Sequence, residues 1–146
     1  IEQQPAASAT SGAPLAPAPV VVLRDAFGNR SRVAGVAVRV ALTDSSTNAL
    51  SGPRSVLTDT AGVAAFGGLA VMGPAGTASL RFSADNLTDA TSTNITVAEA
   101  PATRVVFTDV PPSVAATAPF TVRAEARNAQ GLRTTGFTGN VTIALA

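Results

Sequence analysis

The 146 residues suffice for one sandwich-sized domain with a real core, and leave a remainder that is short for a second. Ten basic residues, all of them Arg, stand against nine acidic ones with no run of like sign, which argues against nucleic acid as a partner. His, Cys, Lys, Trp and Tyr are absent, which excludes thiol chemistry and disulfides and removes most general acids and bases.

In chain order, the first residue is Ile rather than Met and no signal-peptide pattern follows, so Ile1 reads as a processed terminus or the first ordered residue. IEQQP reads either as the first strand of a sandwich or as a segment donated to a neighbour. Residues 5–19, PAASATSGAPLAPAP, are Pro-rich and flanked by β signals, which predicts an extended strap along a sheet edge. Five runs then alternate apolar with small or polar residues at a period of two: APVVVLRD, GVAVRVALT, GVAAFGGLAVM, TASLRFSADN and STNITVAE. Between them lie DAFGNR, DSSTNALSGP, DTAG, MGPAG and DNLTDA, whose Gly, Asp, Asn and Pro mark turns. No helix of ten residues is predicted. The apolar runs Val20–Leu23 and Val36–Leu42 fall far short of the roughly 20 residues that a membrane helix needs, so no membrane insertion is expected. The expected fold is an all-β, immunoglobulin-like antiparallel sandwich followed by an incomplete second unit of the same kind.

The second unit is read from an internal repeat. Arg24, Asp25, Gly28 and Arg30 of RDAFGNR recur 103 residues later as Arg127, Asn128, Gly131 and Arg133 of RNAQGLR, and VRVAL from Val38 falls on VTIAL from Val141. APL ending at Leu15 matches APF ending at Phe120 at a slightly larger offset. A repeat of about 100 residues is the size of one Ig-like sandwich. The expected domains are 1–99, a hinge at 100–102, and a partial unit of about three strands at 103–146.

LRDAFGNRSRVAGVAVRVALT followed by VLTDTAGVAAFGGLAV resembles the bacterial immunoglobulin-like repeats of the invasin and intimin type. The likeness rests on the Asp-x-x-Gly-Asn hairpin at Asp25–Asn29, the Val-x-Val strand at Val36–Val40, the Thr-Asp-x-x-Gly-x-Ala opening at Thr58–Ala64, and the apolar strand from Phe66 to Val71. It implies a spacing, adhesion or assembly module outside the cell, at the cell surface or secreted; a fold by itself does not fix function.

Catalytic residues are not expected. Asp25, Asp44, Asp59, Asp85, Asp89 and Asp109 are all predicted in turns, where carboxylates bond nearby backbone amides, and no cofactor or metal is implied. Arg24, Arg39, Arg81 and Arg123 are predicted on solvent faces of strands, and the six Phe residues in core or hairpin packing. Asn29, Asn86, Asn94 and Asn140 begin Asn-x-Ser/Thr acceptor patterns, so a glycan is a candidate partner. In the partial unit Val105, Phe107, Phe120, Val122, Val141 and Ile143 would lie on an open face. Three arrangements would cover them: further chain beyond the repeat, strands from another copy, or docking on the first sandwich. Strand complementation between copies, giving a homopolymeric fibre or surface array, is the leading expectation. A stalk or ligand-binding module of a longer surface protein, or a carbohydrate-binding or spacer domain attached to a secreted enzyme, are the alternatives.

Overall fold

A computed structural model describes residues 1–43 and 48–143. Asp44 and residues 144–146, the end of the predicted closing strand, lie outside the described residues. The chain divides into two compact units, Ile1–Ala98 and Glu99–Ala146.

The first unit comprises β1 (Ser8–Thr10), β2 (Val20–Val22), β3 (Ala37–Leu42), β4 (Ala49–Ser51), β5 (Ser55–Leu57), β6 (Val63–Ala65), β7 (Ala70–Met72), β8 (Gly76–Ala78), β9 (Leu80–Ser83), β10 (Ala90–Thr91) and β11 (Ile95–Ala98). No helix occurs among the described residues. The strands join in the orders β10-β9-β3-β5, β1-β11-β8, β2-β6 and β4-β7. All four sets contribute to one core: Val38, Val40, Leu80 and Phe82 from the first, Ala78, Ile95 and Val97 from the second, Val21 and Ala64 from the third, Leu50 and Val71 from the fourth. Phe66 and Phe82 meet within it, ring centroids 5.1 Å apart and tilted by 57°. This is an Ig-like β-sandwich: alternate side chains of short strands turn inward and neighbouring strands bury them.

The Pro-rich stretch is a strap. β1 pairs in parallel with β11, the one departure from antiparallel pairing among the described strands, because the strap runs alongside the final strand of the unit. Beyond it Gly12 N donates to Val71 O at 2.9 Å and Leu15 N to Leu69 O at 2.8 Å, so the segment bridges two strand sets and buries Leu15. Ile1–Gln3 stays within its own unit, with Glu2 N and Gln3 N both directed at Val20 O.

Two predicted runs are each divided in the structure, and a third is shortened. TASLRFSADN becomes β8, paired with β11, and β9, paired with β3; Ala78, Leu80 and Phe82 stay buried across the change of partner, so the alternation hides it. GVAAFGGLAVM divides at Gly67-Gly68, where Gly68 has φ 77° and the chain turns. STNITVAE keeps Ile95–Ala98 as β11, while Ser92 is buried in the approach, its Oγ accepting from Leu80 N at 2.9 Å. Within the predicted turn DSSTNALSGP, Ala49–Ser51 forms β4 against β7, because Leu50 is drawn into the core.

The corners are built from one device used repeatedly. Asp25 Oδ1 accepts from the amides of Phe27 and Asn29, each at 2.9 Å, while Asp25 N donates to Asn29 O and Gly28 takes φ 84°. Asp59 does the same for Ala61 and Val63, with Gly62 at φ 72°. An acceptor side chain at the first position and a left-handed Gly at the fourth close a tight hairpin. The two corners interlock: Leu23 N donates to Gly62 O at 3.0 Å, and Ser31 N to Leu23 O at 2.9 Å. A Cβ at Gly62 would overlap the Ser31 carbonyl oxygen, whereas one at Gly28 meets nothing. Gly28→Ala should therefore cost only backbone strain, about 1 kcal/mol. Gly62→Ala should cost on the order of 3 kcal/mol or more, because backbone must move. Urea unfolding of the two variants checks this, and equal losses would contradict the interlock.

Candidate functional site

Little in the first unit is arranged for chemistry. A cavity of about 510 Å3 is lined by apolar residues including Val21, Val38 and Phe82 and by Asp25 and Asp89. The Asp25 carboxylate is occupied by its own turn, which holds it below the usual carboxylate range, chiefly through the Asn29 side chain and amide. Asp89 lies 3.7 Å from Arg81, and Asp85 pairs with Arg39 at 2.6 Å, an exposed contact that lowers the Asp85 pKa. No group of three or more His, Cys, Asp or Glu is placed to hold a metal among the described residues.

The second unit has a different character. Its regular structure among the described residues is β12 (Arg104–Asp109) against β13 (Arg123–Arg127), with a bulge between Phe107 and Asp109. Opposed residues in an antiparallel pair share a face, so the register places Val105 with Ala126 and Phe107 with Ala124 on one side. Arg104 with Arg127 and Val106 with Glu125 take the other. In the 103-residue repeat Ala124 and Ala126 correspond to Val21 and Leu23, both buried in the first unit. The Val105–Phe107 side is therefore the core side of its sheet, yet Val105 is 43% and Phe107 53% exposed. Ala126 and Val105, with Ala102, Thr103, Arg104 and Phe137, line a shallow cavity of about 320 Å3 beside it.

Local bonds hold this pair in place. Asn128 repeats the corner device: its Oδ1 accepts from Leu132 N at 2.9 Å and Gly131 takes φ 82°. Thr134 N donates to Ala126 O at 2.9 Å, as Ser31 does to Leu23 in the first unit. Glu99 anchors the return segment, accepting from Thr135 N at 3.0 Å, Thr135 Oγ1 at 2.7 Å and Gly136 N at 3.3 Å. The Thr135 hydroxyl above all, then the Gly136 amide, lowers the Glu99 pKa.

Of the predicted open-face residues, Val105 and Phe107 come together on β12. Phe120, Val122, Val141 and Ile143 lie in no strand; Phe120, Val141 and Ile143 are exposed and Val122 is half-buried. Val141–Ile143, the described part of the predicted closing strand, pairs with no described strand. Its counterpart β3 is held between β5 and β9, and no described strand lies beside 141–143. Asp109 ends β12 opposite Arg123 instead of sitting in a turn. Phe27 occupies a hairpin tip and is 90% exposed, so it packs in no core. Asn29, Asn86, Asn94 and Asn140 are all exposed, though Asn29 Nδ2 donates to Asp25 Oδ2 at 3.2 Å. Three partners of the sheet escaped the sequence reading: Ala124 and Ala126, too small to stand out, and Glu99, assigned to the preceding unit.

Glu99 titrates lower folded than unfolded, so its contribution is present above its unfolded value, near 4.5, and is lost as pH falls through the folded value. Glu99→Gln should flatten the acid-side loss of second-unit order between pH 6 and about 3, while the first unit, where Asp25 and Asp85 are also lowered, keeps its own. Amide exchange at both pH values reads each unit separately; parallel acid loss in variant and parent would contradict the role of Glu99.

A family model described as SMCHD1 Ig-like domain 6 matches residues 2–103, more than half of the chain and the whole of the first unit's sheets. No curated protein and no solved structure matches the chain. Ig-like domains are typically non-catalytic, in keeping with carboxylates that are occupied by turns and surface ion pairs. With its sandwich of short strands around the Phe66–Phe82 core, the chain belongs to the SMCHD1 Ig-like domain 6 family.

Proposed function

We propose that the chain is a non-enzymatic structural module of head-to-tail Ig-like units, acting as a spacer or stalk outside the cell, of the bacterial repeat kind that the hairpin and Thr-Asp-x-x-Gly motifs resemble. One observation carries this reading. The corner of the first unit recurs 103 residues on with the same backbone bonds, the same left-handed Gly and the same return bond. A tandem array needs such a unit, in which each repeat is closed by strands of the same kind. Residue 146 corresponds to residue 43 in the repeat, so a chain extended after Ala146 by a copy of residues 44–98 would carry the strands that the first unit uses to cover its core. The extended chain should unfold with a second cooperative transition, with Val105 and Phe107 amides newly protected from exchange. If the added residues stay unstructured and Val105 remains unprotected, the array reading fails.

The exposure of Val105 and Phe107 favours a second reading, in which the open face is closed by strands of another copy and the chain builds a homopolymeric fibre or surface array. Here the parent chain should sediment as species larger than 14.5 kDa at micromolar concentration, and Val105→Ser with Phe107→Ser should return it to a monomer. A parent that is monomeric across that range would contradict the fibre.

A further inference from the structure

The outer face of the second unit's sheet carries a row of three arginines, of which the sequence reading named Arg127 and Arg133 only as repeat positions. Arg104 and Arg127 are direct register partners, and Arg127 and Arg133 are joined by an antiparallel bridge, so three guanidinium side chains leave one face from adjacent backbone positions. Cross-strand neighbours of this kind stand about 5 Å apart at Cβ. Like charges at that spacing repel unless an anion lies between them.

The corresponding places in the first unit are answered within the chain. Arg24 and Arg30 form the equivalent bridged pair; Arg24 Nη1 donates to Gly28 O at 2.7 Å and Arg30 pairs with Glu2. In the second unit the nearest acid, Glu125, takes one contact from Arg127 Nη2 at 3.1 Å. Arg104 and Arg133 are exposed and have no carboxylate partner among the described residues. Arg127 Nε is buried and lacks an acceptor. Asp109, the other acid on this face, stands opposite Arg123 at the far end of the sheet. One row thus holds three cations, one carboxylate and an unanswered buried donor.

We propose that Arg104, Arg127 and Arg133 form a binding site for a tetrahedral oxyanion, a sulfate or phosphate group. Planar guanidinium forks suit the oxygens of such a group, because several donors can serve one centre. The group is taken either as the free inorganic anion or as an ester on a sugar. The site lies on the polar face, opposite Val105 and Phe107, and does not rest on the structural reading above.

The test follows arginine Nε–H resonances of the 146-residue chain at constant ionic strength during titration with inorganic phosphate and, separately, a sulfated disaccharide. Saturable, one-site shifts centred on Arg127 are expected. A response to phosphate alone shows that the anion suffices, and a response only to the disaccharide shows that the sugar is read as well. Arg104→Gln with Arg133→Gln should weaken binding at least about tenfold, the loss of charge-assisted hydrogen bonds. Arg104→Lys with Arg133→Lys, which keeps the charge and the sheet surface, should recover part of it. Arg32→Gln with Arg81→Gln, on the first unit, should change it less than about twofold. The site is overturned if neither ligand gives a saturable shift, or if the first-unit pair weakens binding as much as the second-unit pair.

Discussion

The structure hangs on a side-chain oxygen that captures backbone amides at a corner. At Asp25 and Asp59 a single carboxylate oxygen accepts two amides of the following loop, and a left-handed Gly lets the chain return. The corners matter because the strands are short. β2, β5 and β6 are three residues each, too few for ladder bonds alone to fix register, so the turns between them must. The Leu23–Gly62 and Ser31–Leu23 bonds tie both corners into one end of the sandwich. They set the positions from which Val21, Val38 and Ala64 face the core.

The second unit uses the same corner with only part of that surrounding. Asn128 and Gly131 fold the chain back, Thr134 bonds to Ala126, and Glu99 secures the return. The sheet that results has a core side formed by Val105, Phe107, Ala124 and Ala126. An isolated two-stranded pair is marginal in water, and an apolar side left open adds to the reason for something to cover it. The opposite side carries Arg104, Glu125 and Arg127 together with the half-buried Val106. Each face then calls for a different kind of contact.

Much of this was legible in the residues. Alternation at period two marks the strands, Gly and Asp mark the corners, and the 103-residue repeat marks a second unit. What stayed hidden follows from physical ambiguity. Ala78, Leu80 and Phe82 alternate without a break across a change of sheet, so periodicity cannot show that change. Leu50 sits among turn-forming residues, and only its burial makes Ala49–Ser51 a strand. The face shared by Val105, Phe107, Ala124 and Ala126 depends on a register with a bulge, which spacing alone does not give. The arginine row depends on cross-strand pairing, invisible in a linear reading because Arg104 and Arg127 are far apart in sequence.

The central claim is that the first unit is closed around its core while the second presents a core side that waits for cover. Amide hydrogen exchange on the dilute, monomeric chain at neutral pH tests it most directly. The account predicts slow exchange at β3, β9 and β11 and exchange at β12 and β13 faster by about two orders of magnitude or more, as marginal local stability requires. Equal, strong protection of β12 and β13 in the dilute monomer would contradict it.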